Sequence, residues 1–459
     1  MGVKQGCILS PLFFNIFLSD LPNIFDSTCD PVQLNKSKLH CLLYADDMII
    51  LSESAQGLQC ALKKLHDYCD KWKLLVNINK SNVMIFNKGG KVISKHSFHY
   101  GDYLLHVANE YCYLGILFVP SGSFSKAMIR LKNKASKAFF KIRDKLYGAN
   151  SKCSLKLFQA LILPIISYGC EIWAPYLLKN LNENNFMKIC DNPPGEILHI
   201  KTCKLILGVN RKSTNNAVRG DLGSYPILIS MLCLSVKYWR KLNDACMRNV
   251  NSLVVDALVD NRKYTQAFTW SIGINKVLSM INKVDIWHRP ILVSASRITD
   301  VVKFGLQNVY NIMWTNVIKS TQGKLRTYAL FKDDFVLENY VVLLNRPSRS
   351  AFCKLRVSAH KLMIERGRYC SPKIPVEDRI CKLCDSNEVE DEFHFIMNCK
   401  MYIEHRDILM IELGKIVNIN NLNRSDIFQL IMCASDYDIL RIVTSYVVAA
   451  FVKHSLPGS

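Results

Sequence analysis

His40-Cys41-Leu42-Leu43-Tyr44-Ala45-Asp46-Asp47-Met48-Ile49-Ile50-Leu51 decides the reading of this chain: two apolar runs enclose two adjacent carboxylates. Each run has the length and composition of a buried strand, and the break between them suits a tight hairpin. Such a hairpin would carry Asp46 and Asp47 out of an apolar sheet at its tip. Two carboxylates held side by side repel each other unless a divalent cation lies between them, and their oxygens suit Mg²⁺. Pairs of this kind serve phosphoryl transfer, in which two ions about 3.5–4 Å apart contact the attacking and the leaving oxygen. Asp is also a common turn residue, so a plain polar turn would carry the same letters.

Upstream, Gly2-Val3-Lys4-Gln5-Gly6-Cys7-Ile8-Leu9-Ser10-Pro11 is a glycine-bracketed polar loop before the apolar run 12–18, which reads as a helix. Backbone in such a loop can approach a phosphate or base closely, although a plain helix-start loop looks the same. Downstream, Leu58, Ala61, Leu62, Leu65, Tyr68, Cys69 and Trp72 recur at helical spacing and predict an amphipathic helix over 56–72. Residues 74–78 and 83–86 read as strands around the turn Asn79-Lys80-Ser81-Asn82, where Lys80 would meet a phosphate or solvent. Tyr111-Cys112-Tyr113-Leu114-Gly115-Ile116 reads as a strand turning at Gly115.

Taken together, 2–11, Tyr44-Ala45-Asp46-Asp47, Asn79-Lys80-Ser81 and Tyr113-Leu114-Gly115 resemble, in order and spacing, the later palm motifs of reverse transcriptases, most closely those of non-LTR, LINE-type retrotransposons. The resemblance implies an RNA-directed DNA polymerase that uses two Mg²⁺ ions. It makes Asp46 a catalytic metal ligand with Asp47 beside it, and sets Tyr44 and Ala45 near the incoming nucleotide and primer end. Gln5 and Gly6 would border the template and nucleotide pocket, and Lys80 would lie near the leaving pyrophosphate. Tyr113, Leu114 and Gly115 would grip the primer. Template RNA, primer or target DNA and dNTPs are the implied partners. In this family a further metal-binding Asp lies upstream of the 2–11 segment, in an Ala-Phe-Asp-like triplet. These 459 residues contain no such triplet. The chain therefore resembles the back half of a polymerase, and it is expected not to polymerise by itself.

Composition agrees with a polyanionic partner. Lys+Arg total 59 against Asp+Glu 38, a net charge of +21. No apolar run reaches the roughly 18 residues that a membrane span needs, and no secretory leader opens the chain. The 18 cysteines form no compact disulfide pattern, so free thiols and an intracellular setting, nuclear or cytoplasmic, are expected. The clearest helix is 125–147. Met128, Leu131, Ala135, Ala138, Phe139, Ile142 and Leu146 form its apolar face, and Gly148 is the expected residue after its end. Arg130, Lys134, Lys137, Lys141 and Lys145 make a neighbouring stripe, costly unless solvated or facing phosphates. In the resembled family a thumb that tracks duplex backbone stands at this position.

Beyond it, 155–163 reads as an apolar helix broken at Pro164. Ser167-Tyr168-Gly169-Cys170-Glu171-Ile172-Trp173 resembles the segment after the thumb in the same family, as does 196–226, which includes Gly208-Val209-Asn210-Arg211-Lys212-Ser213-Thr214 and carries no evident chemistry. Residues 227–345 read as helical, with Trp270, Trp287 and Trp314 in the core.

Near the C-terminus, Cys381-Lys382-Leu383-Cys384, His394 and Cys399 have the spacing Cys-x₂-Cys-x₉-His-x₄-Cys. Zn²⁺ takes four tetrahedral nitrogen or sulfur ligands, and the acidic stretch 385–392 reads as a free linker that lets the second pair return. Four unrelated residues in a cysteine-rich chain would match too, and Cys370, His360 and His405 are alternative ligands. The arrangement resembles the C-terminal Cys-Cys-His-Cys segment of LINE-type proteins. Such a structural site would organise a basic surface of Arg349, Lys354, Arg356, Lys361, Arg366 and Arg368 for template RNA. The expected architecture is α+β: an incomplete palm of antiparallel sheet and helices over 1–118, a basic helical thumb and post-thumb segment over 119–226, a helical connector over 227–344, and a zinc-bearing region over 345–459. The alternative is a non-catalytic RNA- or DNA-binding relic that keeps the basic helix and zinc region.

Overall fold

In the hairpin formed by Cys41–Tyr44 and Asp47–Ile50, the antiparallel register pairs Tyr44 with Asp47 and Cys41 with Ile50. The computed structural model describes residues 6–90, 96–148, 150–247, 252–264, 267–320 and 323–455. The fold is α+β, with short sheets and many helices. It divides into two compact units, one of residues 1–130, 169–179 and 234–299, the other of 131–168, 180–233 and 300–459.

In the first unit the helix Ala55–Trp72 organises the core. Ser54 Oγ accepts from Gly57 N at 3.0 Å to start it, and Lys73 in the left-handed region (φ 53°) ends it. Leu62, Leu65, Tyr68 and Cys69 pack on Leu21, Val83, Phe98, Tyr100 and Leu105, as the helical spacing predicts. Gly57 is required by close approach, since a Cβ there would lie 2.6 Å from Cys29 O. A three-stranded sheet places Tyr103–Val107 between Asn82–Val83, parallel to it, and Phe98–Tyr100, antiparallel. A second hairpin, Tyr111–Tyr113 with Ile116–Phe118, follows.

Two strand expectations need correction. Residues 74–77 are irregular and lead into the short 3₁₀ turn Ile78–Lys80, while the next strand is confined to Asn82–Val83. Leu74, Val76 and Ile78 do alternate inward, but against the helical core and without a partner strand. The acidic hairpin is also less buried than its apolar letters imply, with Leu42 46% and Tyr44 64% exposed. Among the described residues the pair is bonded to no third strand, and one face is covered: Met48 and Ile50 pack toward the core around Ala55–Trp72.

The segment 227–345 is largely helical among its described residues, as expected. Trp270 is buried and donates to Glu171 O at 2.8 Å, and half-buried Trp287 stacks on Trp239 at 5.4 Å.

The second unit is helical around buried ions. The helix expected over 155–163 starts at Ser151 instead, where Asn150 Oδ1 accepts from Cys153 N at 2.8 Å, and it ends at Leu161. Pro164 lies in a separate turn, Leu163–Ile166. Trp314 is buried and donates to Asn216 O at 2.9 Å. At the centre, Arg356 directs Nε and Nη2 to Asp221, each at 3.2 Å, and Tyr328 and Tyr340 donate to the same carboxylate at 2.9 and 2.6 Å. Burial by itself would raise the Asp221 carboxyl, but Arg356 outweighs it and holds the group below the usual range. Nearby, Glu196 accepts from Ile227 N, His199 Nδ1 and Arg219 Nη2, each at 2.8 Å. Asp221→Ala would strand the Arg356 guanidinium in the interior, and the expected loss is about 3–5 kcal/mol in urea unfolding followed by circular dichroism. A midpoint unchanged from the parent chain would show that this pair does not hold the unit together.

Candidate functional site

The acidic hairpin turns through Ala45 and Asp46, and Ala45 takes φ 52°, the left-handed value that tight hairpins require. Cross-strand pairing puts Cys41, Leu43, Met48 and Ile50 on one face and Leu42, Tyr44, Asp47 and Ile49 on the other. Asp46 and Asp47 are exposed, and neither is ion-paired with a described residue. Half-buried Tyr113 lies close enough to Asp47 to feel it: its phenol is raised first by burial and then by the Asp47 charge. The hairpin that carries Tyr113 turns at Leu114 (φ 44°) and Gly115 (φ 82°), two consecutive left-handed residues. Tyr111 OH donates to Lys80 O at 3.2 Å, which sets the Lys80 turn against this hairpin with the Lys80 side chain exposed. A Cβ on Gly169 would meet Ile116 Cδ1 at 2.8 Å, so Gly169 rests on the same hairpin. Gly6 stands in open space with φ 82°, and Gln5 lies outside the described residues.

The basic helix runs Ser125–Gly148, so Gly148 is its last helical residue rather than the residue after its end. Ala127, Leu131, Ala135, Phe139 and Leu146 are buried; Met128, Ala138 and Ile142 are half-buried at the margin of that face. Arg130, Lys134, Lys137, Lys141 and Lys145 are all exposed, and none pairs with an acid among the described residues. At 1.5 Å per residue the stripe is about 22 Å long.

The strongest convergence lies in the second unit. One ligand atom from each of Cys381, Cys384, His394 and Cys399 falls within 4.8 Å of the others. Cys381 Sγ is 3.9 Å from Cys399 Sγ, and Cys384 Sγ is 3.4 Å from His394 Nε2. Tetrahedral Zn–S bonds of about 2.3 Å imply sulfur separations of about 3.8 Å. His394 Nδ1 faces Glu388 Oε2 at 2.6 Å, which leaves Nε2 for the centre of the group, the orientation a metal-bound imidazole needs. The alternative ligands stand apart: His360 is buried against Glu392 at 2.9 Å, Cys370 is exposed, and His405 lies outside the group.

Two sequence expectations about this region fail. The stretch 385–392 is no free linker. Glu388 holds His394, Glu390 accepts from Met363 N at 2.6 Å, and fully buried Glu392 accepts from His360, Ser358, Thr327 and Arg326. Their spacing of two residues was the available signal, since alternate residues of an extended segment share a face. Nor do 349–368 form a continuous basic surface. Arg349 is buried against Val341 O and Leu344 O, Arg356 is bound to Asp221, and Arg368 is tied to Glu365 at 3.1 Å. Lys361 and Arg366 are exposed and Lys354 is half-buried.

Residues 1–118, the segment with the acidic hairpin, the Lys80 turn and the Tyr113 hairpin, match the family model for reverse transcriptase (RNA-dependent DNA polymerase). The chain is 24% identical over 256 residues to the RNA-directed DNA polymerase from mobile element jockey of Drosophila melanogaster, covering 53% of this chain and 26% of that protein. It is 26% identical over 192 residues to the jockey polymerase of Drosophila funebris, 40% of this chain and 20% of that one. Against the Pol polyprotein from type-2 retrotransposable element R2DM of Drosophila melanogaster it is 26% identical over 179 residues, 37% and 17% of the two chains. The chain thus spans about a quarter or less of the length of these curated relatives. Motif order, the match over 1–118 and these relatives agree: residues 1–118 match the reverse transcriptase family, and the chain is similar to the RNA-directed DNA polymerases of non-LTR retrotransposons.

Proposed function

We propose that these residues form the later part of an RNA-directed DNA polymerase of a LINE-type element, carrying out two-metal nucleotidyl transfer. The observation that carries this reading is the exposed, unpaired Asp46–Asp47 doublet on a β-turn beside Tyr113, inside the family-matched segment. All-oxygen donors on an exposed turn fit Mg²⁺, and Asp46 and Asp47 would hold it with a carboxylate from another strand. When bound, the metal supplies Lewis acidity at the phosphoryl oxygens. In the reaction the primer 3′-hydroxyl attacks the α-phosphorus of a dNTP and pyrophosphate leaves. Lys80 offsets or protonates the leaving group. Tyr44 and Ala45 border the nucleotide and primer end, and Gln5 and Gly6 border the template. Tyr113, Leu114 and Gly115 hold the primer, and the helix Ser125–Gly148 acts as a thumb along duplex backbone. A non-catalytic RNA- or DNA-binding role is the second reading. It is favoured by the exposed basic stripe and the Cys/His group, both formed without any acid pair.

Three measurements bear on these readings. In primer extension with an RNA template, residues 1–459 alone are expected to yield no product, because they contain no Ala-Phe-Asp-like triplet to supply a further carboxylate. Within a longer reading frame that encodes an Ala-Phe-Asp-like strand, Asp46→Ala should abolish product; persistent synthesis would overturn the polymerase reading. Replacing Lys134, Lys137 and Lys141 with Ala should lower the salt slope of duplex DNA binding by about 0.9 per lysine. An unchanged slope would remove the stripe from the interface. Elemental analysis should find one Zn²⁺ per chain, lost in Cys384→Ser, and chelation should make the 380–399 segment sensitive to protease. A metal-free protein unaffected by chelator would dismiss the zinc site.

A further inference from the structure

The loop 208–214 has an exposed aromatic neighbour and a local excess of cations that neither the acidic hairpin nor the basic helix explains. The helix Pro194–Leu207 ends at Gly208 with φ 70°, where a Cβ would lie 2.7 Å from Ser350 Oγ. From there the loop is tied down residue by residue. Ser350 Oγ donates to Gly208 O at 2.7 Å and Asn210 Nδ2 to Ala359 O at 3.1 Å. Two ammonium groups also hold its carbonyls: Lys204 Nζ donates to Arg211 O at 3.0 Å, and Lys324 Nζ to Lys212 O at 2.9 Å. The side chains of Arg211 and Lys212 are left exposed on a fixed backbone.

Both Lys212 and Lys324 then face one ring. Their Nζ atoms lie 4.0 and 5.3 Å from the centre of Tyr369, which is itself 53% exposed. The nearby acids are already committed. Buried Glu365 takes Arg326 at 3.0 Å and Arg368 at 3.1 Å and lies 3.8 Å from Lys324, while Glu392 takes Arg326 at 2.6 Å. Arg211, Lys212 and Arg366 have no acidic partner among the described residues. The excess is felt at Lys204, whose ammonium is lowered first by burial and then by Lys324, Arg219 and Arg211. Cations converging on a single aromatic ring repel one another, and a polyanion between them would relieve that repulsion.

We propose that Lys212 over the exposed ring of Tyr369, with exposed Arg211 beside it in the loop and exposed Arg366 three residues before the ring in the chain, forms a binding site for single-stranded nucleic acid, with the cations on its phosphates and, once Lys212 turns from the ring to a phosphate, the ring under a base. A single strand is favoured over a duplex because its bases have free faces for the ring, whereas a duplex presents backbone alone. The site rests on no part of the polymerase reading.

The test is fluorescence anisotropy of the full chain with a labelled 15-nucleotide single-stranded RNA, the DNA of the same sequence, and the duplex. Arg211→Ala with Lys212→Ala removes side chains and keeps the carbonyls that Lys204 and Lys324 hold, so the fold should survive, as circular dichroism would show. On the single strands this pair should reduce the salt slope by about 1.4, at about 0.7 per cation. Tyr369→Ala should weaken single-strand binding about fivefold or more and leave duplex binding within about twofold, while Tyr369→Phe should bind as the parent does. Matching losses on RNA and DNA, or a loss on RNA alone, both sustain the site and decide which strand it takes. A slope unchanged in the double variant overturns the proposal, as does a Tyr369→Ala loss that is equal on single strand and duplex.

Discussion

Strand register at the acidic hairpin is the constraint on which the catalytic reading depends. Pairing Tyr44 with Asp47 leaves Ala45 and Asp46 as the turn and sends Asp47 to the same face as Tyr44, Leu42 and Ile49. Because side chains alternate, a slip of one residue would turn Asp47 toward the core around Ala55–Trp72 and expose Met48 and Ile50. The covered face, with Cys41, Met48 and Ile50 packed beneath the hairpin, makes that slip expensive. The second hairpin obeys the same logic: left-handed residues at Leu114 and Gly115 fix its turn and leave Tyr113 within reach of the Asp47 charge.

Charge in the second unit is divided by burial. Inside, buried arginines have specific carboxylates or carbonyls: Arg356 has Asp221, Arg219 has Glu196, and Arg349 has Val341 O and Leu344 O. Unpaired, these groups would carry a desolvation cost of several kcal/mol each, so they serve the fold and are closed to a ligand. Outside, Lys134, Lys137, Lys141 and Lys145 meet no acid among the described residues, and the same holds for Arg211, Lys212 and Arg366. The basic excess of the chain is therefore concentrated on particular surfaces, which is how a polyanion would encounter it.

The Cys/His group shows how a candidate metal site leans on its surroundings. Cys381 N donates to Glu388 O at 2.9 Å, closing the turn that presents the first two thiols, and Cys399 N donates to His394 O at 2.8 Å. Glu388 then orients the imidazole. Glu390 and Glu392, two and four residues further on, anchor the segment to the helical body through Met363 N and His360. One short acidic run thus both aims a ligand and moors the site.

Local pattern was enough for the hairpin with its doublet, the helix Ala55–Trp72, the basic stripe and the spacing of the four Cys/His ligands. Each of these is written in residues close together in the chain, where a period of two or of 3.6, or a short chelating turn, acts directly. The strand expected over 74–78 failed because alternation records which side is buried and not whether a partner strand is there to bond. The basic surface expected over 349–368 failed because a charge in sequence has no sign of its depth: Arg356 meets an acid 135 positions away, and Arg349 turns back on carbonyls of its own segment. Tyr369, Lys212 and Lys324 were likewise silent as letters. The sequence by itself determined the turn chemistry, the helical faces and the ligand spacing, because these depend on neighbours along the backbone. Tertiary structure alone decided which arginines are neutralised inside, which ligand set closes and which cations share one exposed ring, because those outcomes depend on distances between residues that the chain brings together only on folding.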